Sequence, residues 1–206
     1  MKGMARKKKE ELTRKEKIVN AIDDFVKGGK TFIAYDNDSS FTLIIDGKAA
    51  VVSDCETIRG IAGRAGIYDL SPGCKRRKGK RVENSTPREC GYDFDRTDKV
   101  PEDITPLFAE WKKKSIYEVY VSGLSLSSAP WGTRIVKASK VCSSSQFGGV
   151  SEPMASVLQE FGSSKCESIE HPIIASGEGI TFVAMPMRIP EREMKRAVED
   201  MARLVG

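Results

Sequence analysis

Ile18, Val19, Ile22, Phe25 and Val26 recur at three- and four-residue intervals, the spacing that lays apolar side chains along one stripe of a helix. Thr13 and Glu16 precede them as a T-x-x-E capping box, and Gly28 and Gly29 close the run, so the pattern predicts a helix over 13–27. The period then changes. TFIAY, SFTLIID and AAVVS are short runs rich in β-branched and aromatic residues, separated by NDS and GK, and this spacing predicts an antiparallel meander. Asp54 stands where it would cap a following helix, which Gly60, Gly63 and Gly66 weaken.

Between 71 and 101 the apolar pattern disappears, and the stretch reads as one long loop or insertion. Residues 103–114 are predicted helical, while IYEVYV and RIVKASKV read as strands between the serine-rich connections GLSLSSAPWG and SSSQFGG. Ser151 and Pro153 open a further helix whose Met154, Val157, Leu158 and Phe161 share a face before Gly162. HPIIAS and ITFVAM, joined by GEG, predict a second hairpin, and Pro190 begins a last helix with Met194, Ala197, Val198, Met201 and Val205 on one stripe.

These elements predict an α+β fold: an antiparallel sheet with helices packed on one face, interrupted by a long basic loop insertion. Residues 1–12 are expected to form a disordered basic arm, and 13–206 a single α+β domain. The shared order of elements in 13–70 and 151–206 admits two similar lobes related by duplication, with 71–101 inserted between them.

Composition narrows the class. Hydrophobic residues make up 39% and charged residues 31%, so a packed core is within reach and neither a fibrous nor a wholly unfolded chain is indicated. No apolar run approaches the ~18 residues of a membrane span, and none follows the charged N-terminus, so a cytoplasmic protein with no membrane partner is expected. Five cysteines without a C-x-x-C pair, and one histidine, His171, do not make a zinc set. Reduced structural thiols and no cofactor are the expectation.

Net charge is +5, but its distribution says more than its total. CKRRKGKR places Lys75, Arg76, Arg77, Lys78, Lys80 and Arg81 within seven residues, and the N-terminal arm adds Lys7, Lys8 and Lys9. Such density repels itself and gains when phosphates displace the surrounding small ions. Gly63-Arg64-Ala65-Gly66 has the G-x-x-G spacing with which KH domains clamp a nucleic-acid backbone, and contributes Arg64, although three strand-like runs before it depart from that fold's order. Lys112, Lys113 and Lys114, and Arg134 with Lys137 and Lys140, are further clusters, with Tyr92, Trp111 and Trp131 near them as candidate stacking rings. The expected function is non-enzymatic binding of nucleic acid, DNA or RNA, by phosphate contacts.

Two other classes remain open on sequence. One is an inhibitor or regulatory subunit presenting hairpins and alternating charge to a protein partner. The other is a phosphoryl-transfer enzyme using Asp36 and Asp38, because D-x-D after an apolar run is the spacing of a nucleophile and an acid–base partner. That chemistry wants a helix after the strand, whereas another β-run follows here. KGGKTF carries the G-K-T of a phosphate loop, but Asp24 stands where its first glycine is needed, and helix leads to strand rather than the reverse. YDFDRTD, with Asp93, Asp95 and Asp98, lacks the glycine and terminal glutamate of a calcium loop and reads as local charge balance.

Overall fold

The computed structural model describes residues 11–28, 31–37, 40–54, 56, 58, 66–69, 76, 77, 80, 81, 105–126, 133–138, 147–189, 192 and 195. In chain order the elements are α1 (Arg14–Gly28), β1 (Thr31–Asn37), β2 (Ser40–Ile45), β3 (Ala49–Ser53), β4 (Gly66–Asp69), β5 (Arg76–Arg77), β6 (Lys80–Arg81), α2 (Thr105–Lys114), β7 (Tyr117–Leu126), β8 (Thr133–Ala138), β9 (Phe147–Ser151), α3 (Glu152–Phe161), β10 (Ser164–Cys166), β11 (Ile173–Gly177) and β12 (Ile180–Ala184). The arm over 1–10 and most of the last helix lie outside the described residues, although Arg192 and Lys195 are helical. No described helix is long and apolar enough to cross a membrane.

α1 starts at the predicted capping box. The Thr13 amide and hydroxyl both donate to the Glu16 carboxylate at 2.8 Å, and the Glu16 amide returns to the Thr13 hydroxyl at 3.3 Å. The Thr13 backbone donor holds the Glu16 carboxyl below its ordinary range. Arg14 then reaches across to the Phe161 carbonyl at 2.5 Å, satisfying an orphan acceptor at the end of α3. Gly162 closes that helix in the left-handed region, φ 70°, with its N–H on the Gln159 carbonyl.

Ten strands form one antiparallel α+β sheet in the order β4-β1-β2-β3-β12-β11-β10-β7-β8-β9. The meander β1–β2–β3 is present in sequence order, and β3 pairs with β12 from Ile180↔Ser53 to Ala184↔Ala49, joining the strands of the two chain ends. Two hairpins turn on residues with positive φ: Asp46 (50°) and Gly47 (63°) after β2, Glu178 (55°) and Gly179 (74°) after β11. Both are the turn chemistry that matches the right-handed strand twist.

Alternation assigns the faces. Phe41, Leu43, Ile45, Ala49, Val51, Ile173, Ala175, Phe182 and Ala184 point to an inner face, where Ile18, Ile22, Phe25 and Val26 of α1 and Met154, Val157, Leu158 and Phe161 of α3 bury them. Their neighbours Ala50, Ile174 and Val183 point outward, where Phe108 of α2 covers them with Leu107 and Trp111. Two helices therefore share one face as the pattern implies. The third, α2, takes the other because the central strands β3, β12 and β11 are apolar on both sides.

The sheet is strongly curled. Met187 follows β12 by three residues, a reach of at most ~11 Å, yet it exchanges both backbone hydrogen bonds with Gly149 of β9 at 3.0 and 2.7 Å. In a flat sheet five strand spacings, ~24 Å, would separate β9 from β12. The strands from β12 to β9 consequently wrap round α3. The closure depends on Gly148 and Gly149: a Cβ on Gly148 would stand 2.7 Å from Ile169 on the inner side, and one on Gly149 2.5 Å from Thr133 and 3.0 Å from Ile189 on the outer side. Gly149→Ala is expected to cost about 1–3 kcal/mol in urea unfolding through overpacking. Gly123→Ala, where nothing lies within 4 Å, is the control and should stay within about 0.5 kcal/mol.

Candidate nucleic-acid interface

Of the cations picked out in the sequence, Lys7, Lys8, Lys9, Arg64, Lys75 and Lys78 lie outside the described residues. Arg76, Arg77, Lys80 and Arg81 are within them. β5 and β6 pair antiparallel with Arg76 opposite Arg81 and Arg77 opposite Lys80, a two-stranded ribbon separate from the main sheet. Absence of apolar alternation hid this ribbon in the sequence. Like charges directly opposite across a strand pair destabilise it, and such a pair is marginal alone in water.

The remaining clusters divide. Lys114 is ion-paired with Glu110 at 2.6 Å, a contact that raises the lysine pKa and lowers that of the carboxylate. Arg134 is bound on the inner side, its guanidinium paired with the Glu152 carboxylate and donating to Gln159 at 3.1 Å. Trp111 packs edge-on against Phe108, ring centroids 5.6 Å apart, so its ring belongs to the outer apolar cluster and offers little surface for stacking. Tyr92, Trp131 and Lys140 lie outside the described residues.

The structure adds a site the sequence did not suggest. Lys112 at the end of α2 and Lys165 of β10 line an open cleft of about 270 Å³ with Ser115, Ser163, Ser164, Ser176 and Ile174. Both lysines are exposed, and neither makes an ion pair with a described residue. Ser164 donates to the Val119 carbonyl at 3.3 Å and Ser176 shares a hydrogen with Thr181, whereas Ser115, only 8% exposed, has no side-chain hydrogen bond to a described residue. The signal was the alternation in Ser164-Lys165-Cys166, a buried–exposed–buried strand too short to stand out in sequence.

The catalytic alternatives find other surroundings. Asp36 falls in β1, opposite Phe41, and the next described element is the antiparallel strand β2 rather than a helix, while Asp38 lies outside the described residues. α1 likewise leads into β1, helix before strand. His171 is exposed, with its Nδ1 2.7 Å from the Ser168 hydroxyl. Among the described residues no three His, Cys, Asp or Glu side chains gather as a metal set.

Cys166 is fully buried on the inner face, and burial pushes its thiol up to about 11. Alkylation at about pH 8 should therefore be negligible for Cys166 in the folded chain and appear only in denaturant, as read by peptide mass mapping. Labelling of native protein at Cys166 would contradict the packing described here.

No protein-family model matches the chain, and neither does any curated protein or solved structure.

Proposed function

We propose that this chain binds nucleic acid in the cytoplasm without catalysing a reaction, through phosphate contacts from the basic 75–81 segment, the arm residues Lys7, Lys8 and Lys9, and Arg64. The observation that carries this reading is the ribbon register, Arg76↔Arg81 and Arg77↔Lys80, which sets four cations in two directly opposed pairs. Nothing in the apolar pattern of residues 75–81 favours such a ribbon, whereas a polyanion lying along it gains from each cation. Backbone charge reads little sequence, so weak sequence selectivity is expected.

The test is an electrophoretic shift series with single- and double-stranded DNA and RNA, using protein first freed of bound nucleic acid by nuclease. A shift with oligonucleotides of unrelated sequence is expected. A chain that shifts none of them, yet carries a nuclease-resistant protein partner through purification, belongs to the interaction class instead.

A further inference from the structure

Tyr120, Lys137 and Phe147 stand in one row across β7, β8 and β9, Tyr120 opposite Lys137 and Lys137 opposite Phe147. Their chain neighbours Val119, Val136 and Ala138 belong to the inner core, so the row faces the other way. Tyr120 is 57% exposed although its strand lies inside the sheet rather than at an edge, and Ile116 just before that strand is 65% exposed. The Lys137 ammonium lies 5.7 Å from the centroid of the half-buried Phe147 ring. The result is an aromatic, a cation and an aromatic in succession.

This row continues into the lysine–serine cleft. β10 pairs with β7 through Lys165↔Glu118 and Cys166↔Tyr117, and the Ser164 hydroxyl donates to the Val119 carbonyl. Lys165 itself lines the cleft, and its strand partner Glu118 bonds the Tyr120 hydroxyl, so cleft and row adjoin. Carboxylates stand on this surface as well: Glu118 accepts a hydrogen bond from the Tyr120 hydroxyl at 3.1 Å and is the strand partner of Lys165, and Lys114, paired with Glu110, also feels the charge of Glu167. Lys112, Lys137 and Lys165 make no ion pair with a described residue and are the cations left to meet an anionic ligand. Ser115 adds a nearly buried hydroxyl that lines the cleft without a described partner.

An exposed ring flanked by ammonium groups suits a base whose face is uncovered and whose phosphates follow at regular intervals. Tyr120 and Phe147 are two strand spacings apart, ~9.6 Å, which leaves Lys137 between them. Bases within a duplex are already stacked and present no free face to such a row.

Resting on the nucleic-acid reading above, we propose that the outer face of β7–β9 binds single-stranded nucleic acid, with Tyr120 stacking on an unpaired base and Lys112, Lys137 and Lys165 meeting phosphates. The test is fluorescence anisotropy on the full chain, with labelled single strands and duplexes of equal length in both DNA and RNA. Tyr120→Ala should weaken single-strand binding about tenfold and leave duplex binding unchanged, and Tyr120→Phe, which keeps the ring, should bind as the parent does. Lys165→Gln should weaken single-strand binding as well.

Unchanged single-strand affinity in Tyr120→Ala overturns this inference, as does an equal loss in Tyr120→Phe, which would assign the effect to the hydroxyl. If the inference fails in that way while neutralising Arg76, Arg77, Lys80 and Arg81 still weakens both forms, the function proposed above stands. If the parent chain binds neither form, both fall.

Discussion

Replacing Arg76, Arg77, Lys80 and Arg81 together with glutamine is expected to lower nucleic-acid affinity on the order of 10³-fold at ~0.15 M salt. The magnitude follows from counterion release: each neutralised phosphate contributes ~0.9 to the slope of log affinity against log salt. Four contacts therefore remove ~3.6 from that slope, and extrapolation from ~1 M salt, where the electrostatic contribution vanishes, gives the loss. For the parent chain, about six neutralised phosphates correspond to a ~10³-fold fall in affinity between 50 and 200 mM salt. Like charges at opposed register positions do not favour a strand pair, so removing the charges at 76, 77, 80 and 81 should not destabilise the free protein. An unchanged thermal midpoint with flattened salt dependence separates lost contacts from lost folding. A salt slope identical to that of the parent would show that these four cations carry no phosphate contact.

The second large effect concerns the inner core. Phe182 of β12 is fully buried, with Phe25 of α1 edge-on at 5.9 Å and Phe161 of α3 stacked at 6.4 Å. One ring thus touches both helices of this face and sits on a strand that joins the early meander to the later hairpin. Phe182→Ala should cost about 3–5 kcal/mol, from lost burial and from a cavity that two helices and a sheet cannot collapse together. For a chain of this size the thermal midpoint should fall by roughly 6–20 °C. Urea midpoints with an unchanged m-value are the measurement. A loss below about 1 kcal/mol would mean that α1 and α3 do not share a core through this residue.

Legibility in the sequence followed the strength of each local signal. α1 and α3 were readable because capping chemistry, apolar stripe and terminal glycine agree, and β1 to β3 because apolar runs alternate with turn residues. β4, β9 and β10 were hidden for separate reasons. Gly66-Ile67-Tyr68-Asp69 begins on the last of three closely spaced glycines that weaken a helix predicted there, and β9 contains Gly148 and Gly149, which usually argue against a strand but here admit Ile169, Thr133 and Ile189. β10 has three residues. The side on which α2 packs depends on two-sided burial of β3, β11 and β12, a property of strand order that no local window contains.

The candidate surface was legible in part. The density of cations at 75–81 stood out, but their pairing into a ribbon did not, because Arg-Arg and Lys-Arg carry no strand propensity. Arg134 looked like part of a basic cluster and instead closes on Glu152, a partner eighteen residues away that a helix start brings beside it. Tyr120 and Lys137 were each present in strand-like runs, yet only the register across β7, β8 and β9 sets them in a row with Phe147.

Phosphate contact by the 76–81 ribbon is read directly in the backbone amide spectrum of the isotopically labelled chain, titrated with a short oligonucleotide at low salt. Saturable shifts of the Arg76, Arg77, Lys80 and Arg81 amides, reversed by added salt, are expected. Amides at these four positions that stay fixed while the oligonucleotide binds elsewhere would contradict that contact.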